Sequence, residues 1–303
     1  MKRASIDIGS NTILLLIAEV DAGRYRELVN ESRVTGLGRN LDKTNAFAPI
    51  AIEESYSALK EYAEILKVHG IEMSEVYATA TEASRVAGNA MAFFQRVRKE
   101  LGIEVKTINA EGEAFYTSFG VVKGSNVSQS EITIMDIGGA STEFIKVEVD
   151  PFKVLSSISL PFGSVRATDW HRDGVFEQNM FEILSSSRIT DYKSSHLLCV
   201  AGSMTSLGGM IKGLDKFDAE AVNGTSLGFN QFLGFVEKIK GASAESLELK
   251  FPFLGKRSQT IVGGAMIGQI VGQTLSVKTF EISTLGLRYG TLLSGGIDER
   301  YCK

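Results

Sequence analysis

Two short polar loops in this sequence have the residue types that hold phosphate. They read DIGSNT at 7–12 and DIGGASTE at 136–143. In each, an apolar run brings an aspartate, Asp7 or Asp136, to its end, and a glycine turn follows. Such a turn exposes backbone N–H groups beside hydroxyl or amide side chains, which can bind phosphate oxygens. The first loop alone is also an ordinary turn sequence, but its recurrence favours two facing loops around one phosphate chain.

Carboxylates on these loops could serve a metal ion and a water molecule. Mg²⁺ takes one or two acidic oxygens together with phosphate and water, and a hydrolase needs a base that orients the attacking water. Asp136 stands between Met135 and Ile137, so we expect it to be buried and to have a role, because an unpaired buried carboxylate is costly. Glu143 lies across the turn from Asp136, although it also fits a solvated strand position.

Further polar residues lie at predicted helix starts. Glu111 fits a first-turn acid at the positive end of the helix dipole, whereas spacing alone assigns no role to Glu113. Arg85 follows a strand end, and its planar guanidinium would match phosphate, although an isolated arginine usually lies on the surface. The turn AGSMT at 201–205 could add a phosphate contact at a helix N-terminus, while the glycine pair at 263–264 fits close helix packing.

The elements around these loops predict an α/β protein of two domains. Strand, glycine turn, strand, strand is the order at the N-terminus, with a turn at 21–23, and this order recurs after residue 131. Helices are predicted over 49–69, 87–101 and 111–122, and strands over 76–80 and 104–108. A polar stretch without periodicity follows residue 123, so the predicted domains are 1–123 and 124–303.

Composition narrows the class of partner and the compartment. The 303 residues, 44% of them hydrophobic, are enough to bury two cores, and a net charge of −4 gives no global positive field for nucleic acid or membrane. Two cysteines and no long apolar run predict a reducing compartment, hence the cytoplasm. Three scattered histidines disfavour zinc. The sequence leaves open whether the chain forms a homodimer.

Seven motifs in order along the chain carry a resemblance to a known family. They are DIGSNT at 7–12, ATEASR at 80–85, EGEAFY at 111–116, DIGGASTE at 136–143, LPFGSVR at 160–166, AGSMTSL at 201–207 and STLGLRYG at 283–290. Over nearly its whole length the chain resembles the Ppx/GppA family of exopolyphosphatases and guanosine pentaphosphate phosphohydrolases. The resemblance implies two actin-like (ribonuclease H-like) domains with mixed sheets flanked by helices, and an active site in the cleft between them. It also implies Mg²⁺-dependent hydrolysis of the terminal phosphoanhydride of inorganic polyphosphate or of pppGpp.

Motif by motif, the resemblance implies roles for individual residues. Glu113 becomes the base that orients water. Asp136 and Glu143 become catalytic carboxylates linked to the metal, and Asp7 joins the metal from the facing loop. The implied phosphate contacts are Ser10, Asn11, Thr12, Arg85, Gly138, Gly139, Ser141, Gly202, Ser203, Arg166 and Arg257. No covalent intermediate is required, so catalysis would rest on positioning and charge neutralisation.

The sequence departs from the family pattern at several positions. Ala140 replaces a third glycine, Tyr289 replaces an acid that usually follows the C-terminal arginine, and Asn223 stands where the family often has histidine. The chain also lacks the helical extension of the long members, from which we expect reduced processivity on long polymers. Two alternatives stay open: a phosphotransferase of the same fold, and a non-enzymatic sensor of polyphosphate or alarmone.

Overall fold

The chain folds into two α/β units. The computed structural model describes residues 1–21, 23–125 and 127–303; Ala22, in the predicted 21–23 turn, and Asn126, in the predicted boundary stretch, lie outside the described residues. Unit 1 comprises Met1–Val127 and Leu285–Lys303, and unit 2 comprises Ser128–Thr284. Each unit holds one mixed sheet flanked by helices, which confirms the predicted fold class.

Unit 1 is built on a five-stranded sheet. Its strands are β1 (Lys2–Ile8), β2 (Thr12–Asp21), β3 (Arg24–Val34), β4 (Val76–Ala80) and β5 (Val105–Thr107). Its first helices are α1 (Leu41–Thr44), α2 (Pro49–Val68), α3 (Glu82–Val86), α4 (Ala90–Leu101) and α5 (Ala110–Gly124). The strand order is β3-β2-β1-β4-β5, in which β1 runs antiparallel to β2 and parallel to β4. The carboxyl end of β1 therefore lies at the centre of the sheet, where it presents Asp7.

Local sequence explains the limits of these elements. Ala4, Ile6 and Ile8 alternate along β1 and are buried in one core with residues of α2 and α4, as a half-buried strand requires. The predicted helix over 49–69 forms as α2, because Pro49 suits the first helical position and has no N–H to satisfy there. Gly70, with a φ of 64°, adopts the left-handed conformation that ends the helix.

Unit 2 is built on a six-stranded sheet. Its strands are β6 (Glu131–Ile137), β7 (Thr142–Glu148), β8 (Lys153–Leu160), β9 (His196–Val200), β10 (Thr225–Gly228) and β11 (Thr279–Ile282). Its helices are α6 (Ser164–Arg172), α7 (Phe176–Ser186), α8 (Ala201–Ile211), α9 (Ala219–Val222), α10 (Phe229–Ile239), α11 (Ala244–Lys250) and α12 (Ile261–Leu275). The order β10-β11-β9-β6-β7-β8 repeats the unit 1 arrangement at its centre, because β6 pairs antiparallel with β7 and parallel with β9.

The segment after unit 2 belongs to unit 1. Helix α13 (Leu287–Ser294) follows β11 in the chain, but Leu285, Tyr289 and Leu292 are buried in a cluster with residues of β2. Ser5 on β1 and Thr291 on α13 share a buried hydrogen bond of 2.6 Å. The structure thus divides the chain differently from the predicted 1–123 and 124–303, because apolar burial against β2 draws residues 285–303 back to unit 1. Across the described residues, no helix combines the length and apolarity that a membrane crossing requires.

Candidate active site

The loop after β1 forms a small turn, called an anion turn below because turns of this kind can bind anions. Gly9 donates its N–H to the Thr12 carbonyl at 3.0 Å, which closes the turn. The carbonyls of Ser10 and Asn11 accept hydrogen bonds of 2.7–3.0 Å from backbone amides in the 35–38 segment. A trans peptide directs its C=O and N–H to opposite sides, so the N–H groups of Asn11 and Thr12 point away from that segment. Two of the three predicted contacts in this loop, Asn11 and Thr12, therefore keep their amide hydrogens out of the bonds to that segment.

The loop after β6 repeats this turn with more glycine. Gly138 donates to the Ser141 carbonyl at 3.0 Å, and the Gly138 and Gly139 carbonyls each accept a 2.9 Å hydrogen bond from the amides that begin α6. The Ala140 carbonyl accepts a 2.7 Å hydrogen bond from Arg166 Nη1. By the same peptide geometry, the amide hydrogens of Gly139 and Ala140 point away from the start of α6, and that of Ser141 points away from Arg166 Nη1. This loop is the second anion turn, and Ala140 in place of a glycine keeps its backbone N–H.

A glycine at the start of α6 makes this loop geometry possible. A methyl group on Gly163 would lie 2.4 Å from the Gly139 carbonyl carbon and 2.5 Å from the Ala140 amide nitrogen. The close approach brings the first amides of α6 to the loop carbonyls. Arg166 is one of the predicted phosphate contacts. Its Nη1 donates to the Ala140 and Pro161 carbonyls, each at 2.7 Å, and these bonds hold the loop after β6.

Glu143 is fixed by two hydroxyl groups. The residue is 4% exposed, and its Oε1 accepts hydrogen bonds of 2.6 Å from both Ser141 Oγ and Ser159 Oγ. Glu143 pairs directly with Asp136 across the β6–β7 ladder, so both carboxylates lie beside the glycine loop. Ser141 was predicted to contact phosphate. Its hydroxyl donates to Glu143, so the hydroxyl hydrogen is used within unit 2.

Glu113 lies in the first turn of α5 and forms a buried ion pair. Asn109 caps the helix, accepting from the Gly112 amide at 2.8 Å. Arg85 Nη1 donates to Glu113 Oε2 at 2.8 Å and to the Ile108 carbonyl at 2.9 Å. Arg85, a predicted phosphate contact, is therefore the ion-pair partner of Glu113. Burial raises the pKa of Glu113, while the charge of Arg85 lowers it.

Asp7, at the end of β1, has a buried carboxylate oxygen without a hydrogen-bond donor among the described residues. Its Oδ1 is shielded from solvent and accepts no hydrogen bond from any residue in the described ranges. Burial raises the pKa of Asp7 to about 7; the charge of Glu113 adds to the rise, and Arg288 opposes it. An orphaned, buried carboxylate oxygen is unstable when ionised unless a cation approaches it.

Each unit contains carboxylates of the kind that Mg²⁺ uses. Within the described part of the chain, no three or more His, Cys, Asp or Glu side chains group closely enough to hold a metal by themselves. Mg²⁺ does not need such a cage, because it commonly uses one or two carboxylates and takes its other ligands from phosphate and water. Asp7 offers an unsatisfied hard oxygen in unit 1, and Asp136 and Glu143 offer carboxylates beside the anion turn in unit 2.

The remaining predicted contacts lie at the start of α8. The Arg257 guanidinium stacks over Gly202, so closely that a methyl group there would lie 1.4 Å from Arg257 Nη1. Ser203 packs against Gly264 of α12, where a methyl group would lie 2.8 Å from its Cβ. Gly202 thus makes room for an arginine beside a helix N-terminus, whereas Gly264 serves helix packing, as its sequence context predicts.

Arg288 received no role from the sequence, although it stands in the STLGLRYG motif. Its Nη1 donates to Asn30 Oδ1 at 2.8 Å, and its charge lowers the pKa of Asp7. The hydrogen bond between Ser5 and Thr291 explains why Arg288 lies near Asp7. Asp7 lies two residues along the strand from Ser5, and Arg288 lies one helical turn before Thr291, so both face the same contact. Only this pairing of α13 with β1 identifies Arg288, and no local pattern reveals it.

Comparison with known proteins gives a consistent result. The sequence matches the model of the Ppx/GppA phosphatase family over residues 16–296. Exopolyphosphatase 2 of Mycobacterium tuberculosis is 28% identical over 295 residues, covering 90% of both chains. The bifunctional 3-dehydroquinate synthase/phosphatase of Fusobacterium nucleatum is 29% identical over 88% of this chain, which spans only 42% of that protein. The crystal structure of the Aquifex aeolicus Ppx/GppA family member has a TM-score of 0.78 at 29% identity and covers 97% of each chain.

Proposed function

Because this chain belongs to the Ppx/GppA phosphatase family, we propose that it is an exopolyphosphatase that releases terminal orthophosphate from inorganic polyphosphate, with Mg²⁺ as cofactor. The observation that carries the proposal is the buried Glu113 in the same unit as the orphaned Asp7 oxygen. Relatives named exopolyphosphatase match this chain over 90% and 97% of its length, and their names favour polyphosphate over pppGpp. We also propose a cytoplasmic location, since the cysteines at 199 and 302 are free thiols.

Phosphate binding is assigned to the two anion turns. Amide hydrogens of residues 11–12 in unit 1 and of residues 139–141 in unit 2 would donate to phosphate oxygens. Backbone donors recognise any phosphate group in the same way, which suits a substrate made of identical repeating units. Arg257, beside the start of α8, would add a charged donor, and Arg288 would add a positive charge beside Asp7.

Catalysis is assigned to Glu113 as the base for the attacking water. The Arg85 ion pair uses Oε2 and holds the carboxylate in one orientation, so Oε1 is the oxygen we assign to the water. Burial raises the pKa of Glu113 and makes it a stronger base than an exposed glutamate. When bound, Mg²⁺ would neutralise charge that develops on the phosphate oxygens. The carboxylates that we propose for Mg²⁺ are Asp7 within unit 1 and, separately, Asp136 and Glu143 within unit 2.

The test replaces the base without removing its hydrogen bond to Arg85. Glu113→Gln keeps an oxygen for Arg85 but cannot take a proton, so phosphate release from polyphosphate should fall on the order of 10²–10⁴-fold. Polyphosphate binding by the variant should stay within about threefold of the parent protein, because the anion turns are unchanged. Glu111→Gln is the matched control, since Glu111 is an exposed acid in the same helical turn.

Three outcomes would change the proposal. Near-normal phosphate release by Glu113→Gln would remove Glu113 from the role of base. Faster release from pppGpp than from polyphosphate in a side-by-side assay would make this chain a guanosine pentaphosphate phosphohydrolase. Polyphosphate binding without any Mg²⁺-dependent release by the parent protein would favour the sensor alternative.

A further inference from the structure

The segment 298–303, called the strap below, lies across the beginning of α5. The Asn109 amide donates to the Tyr301 carbonyl at 2.8 Å, and Asn109 Nδ2 donates to the Arg300 carbonyl at 3.3 Å. The Lys303 amide donates to the Thr107 carbonyl at 2.9 Å, and Cys302 forms an antiparallel bridge with Ile108. The strap therefore pairs with the chain between β5 and α5, at the edge of the unit 1 sheet.

The Tyr301 ring anchors the strap to the first turns of α5. It stacks on Phe115 with ring centroids 5.1 Å apart and meets Tyr116 edge-on at 5.7 Å. The Asp298 amide donates to the Tyr116 hydroxyl at 2.8 Å. A methyl group on Gly112 would lie 2.6 Å from Tyr301 Cβ, so only glycine admits the tyrosine here. The aromatic contacts fix the strap to the residues on either side of Glu113.

The same strap holds both members of the Glu113–Arg85 pair. Asn109 Oδ1 accepts from the Gly112 amide, and the Asn109 carbonyl accepts from the Glu113 amide at 3.0 Å. The N–H and Nδ2 of Asn109 donate to the strap. On the other side, Lys303 Nζ donates to the Arg85 carbonyl at 3.1 Å. The helix start that carries Glu113 and the backbone that carries Arg85 are thus tied to one short segment.

We propose that the strap positions the catalytic base and that Tyr301 is its principal positioning residue. The inference rests on the proposed role of Glu113 and adds a residue far from it in sequence. Without the Tyr301 ring, the strap would lose its aromatic contacts with α5, and Asn109 would lose fixed partners for its N–H and Nδ2. The Glu113 carboxylate would then sample more orientations relative to the water, which lowers turnover and leaves phosphate binding unchanged.

The experiment compares three variants by steady-state phosphate release. Tyr301→Ala should lower kcat on the order of tenfold and leave KM within about twofold, because a small misplacement of a catalytic group slows the chemical step. Tyr301→Phe keeps the stacking ring and should restore kcat. Tyr56→Ala is the matched control: Tyr56 is also partly buried and stacks with an arginine, but it lies on α2. The fraction of folded protein, measured by circular dichroism at the assay temperature, corrects each kcat.

A double variant separates positioning from general destabilisation. If the strap acts through Glu113, Tyr301→Ala should cause no further loss of kcat in the Glu113→Gln background. An equal tenfold loss in both backgrounds, or an unchanged kcat in Tyr301→Ala, would overturn the inference while the proposed function stands. Absence of phosphate release from the parent protein would instead refute the proposed function and, with it, this role for the strap.

Discussion

Replacing Asp7 by asparagine should change how the stability of unit 1 depends on pH. Burial and the neighbouring Glu113 raise the pKa of Asp7 from 3.8 to about 7. Between these values the folded protein binds more protons than the unfolded chain, so the free energy of unfolding falls as pH rises from about 4 to about 7. A pKa difference of about 3 corresponds to about 4 kcal/mol in the free energy of unfolding. This is the largest difference in stability that we expect at pH 8 between the metal-free parent protein and Asp7→Asn.

The assay is urea unfolding at several pH values in the presence of EDTA. Hydrogen exchange of β1 amides reports on unit 1, and fluorescence of the single tryptophan, Trp170 on α6, reports on unit 2 as an internal control. Asp7→Asn should be the more stable protein at pH 8, and the two should converge near pH 4. Added Mg²⁺ should stabilise the parent protein at pH 8 and narrow the gap, because a cation favours the ionised carboxylate.

Parallel stability curves for the two proteins would refute this reasoning. That result would mean that Asp7 is well solvated or already paired in solution, and that its Oδ1 is no site for a cation. Glu113 is present in both proteins, so its own titration largely cancels in the difference between them.

Two further substitutions test the anion turns. Gly163→Ala should destabilise unit 2 by about 1–3 kcal/mol and raise KM for polyphosphate, because its methyl group would overlap the Gly139 carbonyl carbon. Urea unfolding measures the loss of stability, and steady-state kinetics measures KM. An unchanged KM would contradict the assigned loop geometry. Gly202→Ala should displace the Arg257 guanidinium and leave the free energy of unfolding nearly unchanged. Polyphosphate binding should weaken on the order of tenfold, which is the effect expected when one charge-assisted hydrogen bond is lost. Calorimetric titration should then show no further loss when Arg257→Ala is added, whereas additive losses would refute a shared cause.

The sequence predicts the fold class because its signals are local. Alternation in β1 and helical spacing in α2 appear within short windows, and the repeated aspartate–glycine turn marks the start of each sheet. The assignment of residues 285–303 has no such signal. The apolar residues of α13 do not identify their partner in sequence, and their burial against β2 is a tertiary contact.

The sequence indicates which residues are candidates for the site more completely than it indicates their bonding partners. Glycine loops expose their chemistry in sequence, whereas the partner of an arginine depends on tertiary contacts. Arg85 meets Glu113 and Ile108 from positions 28 and 23 residues away, so its sequence could indicate a phosphate contact but not an ion pair. The bond from Ser141 to Glu143 spans only two residues, so it is the side-chain contact that local reasoning was best placed to anticipate.

The return of α13 to unit 1 makes unit 2 an insertion within unit 1, with consequences for biosynthesis. A ribosome releases the strands and helices of unit 1 first, but β2 cannot bury Leu16, Ala18 and Val20 against α13 until all of unit 2 has been translated. A nascent or truncated chain that stops at Thr284 would therefore expose an apolar surface to chaperones and proteases.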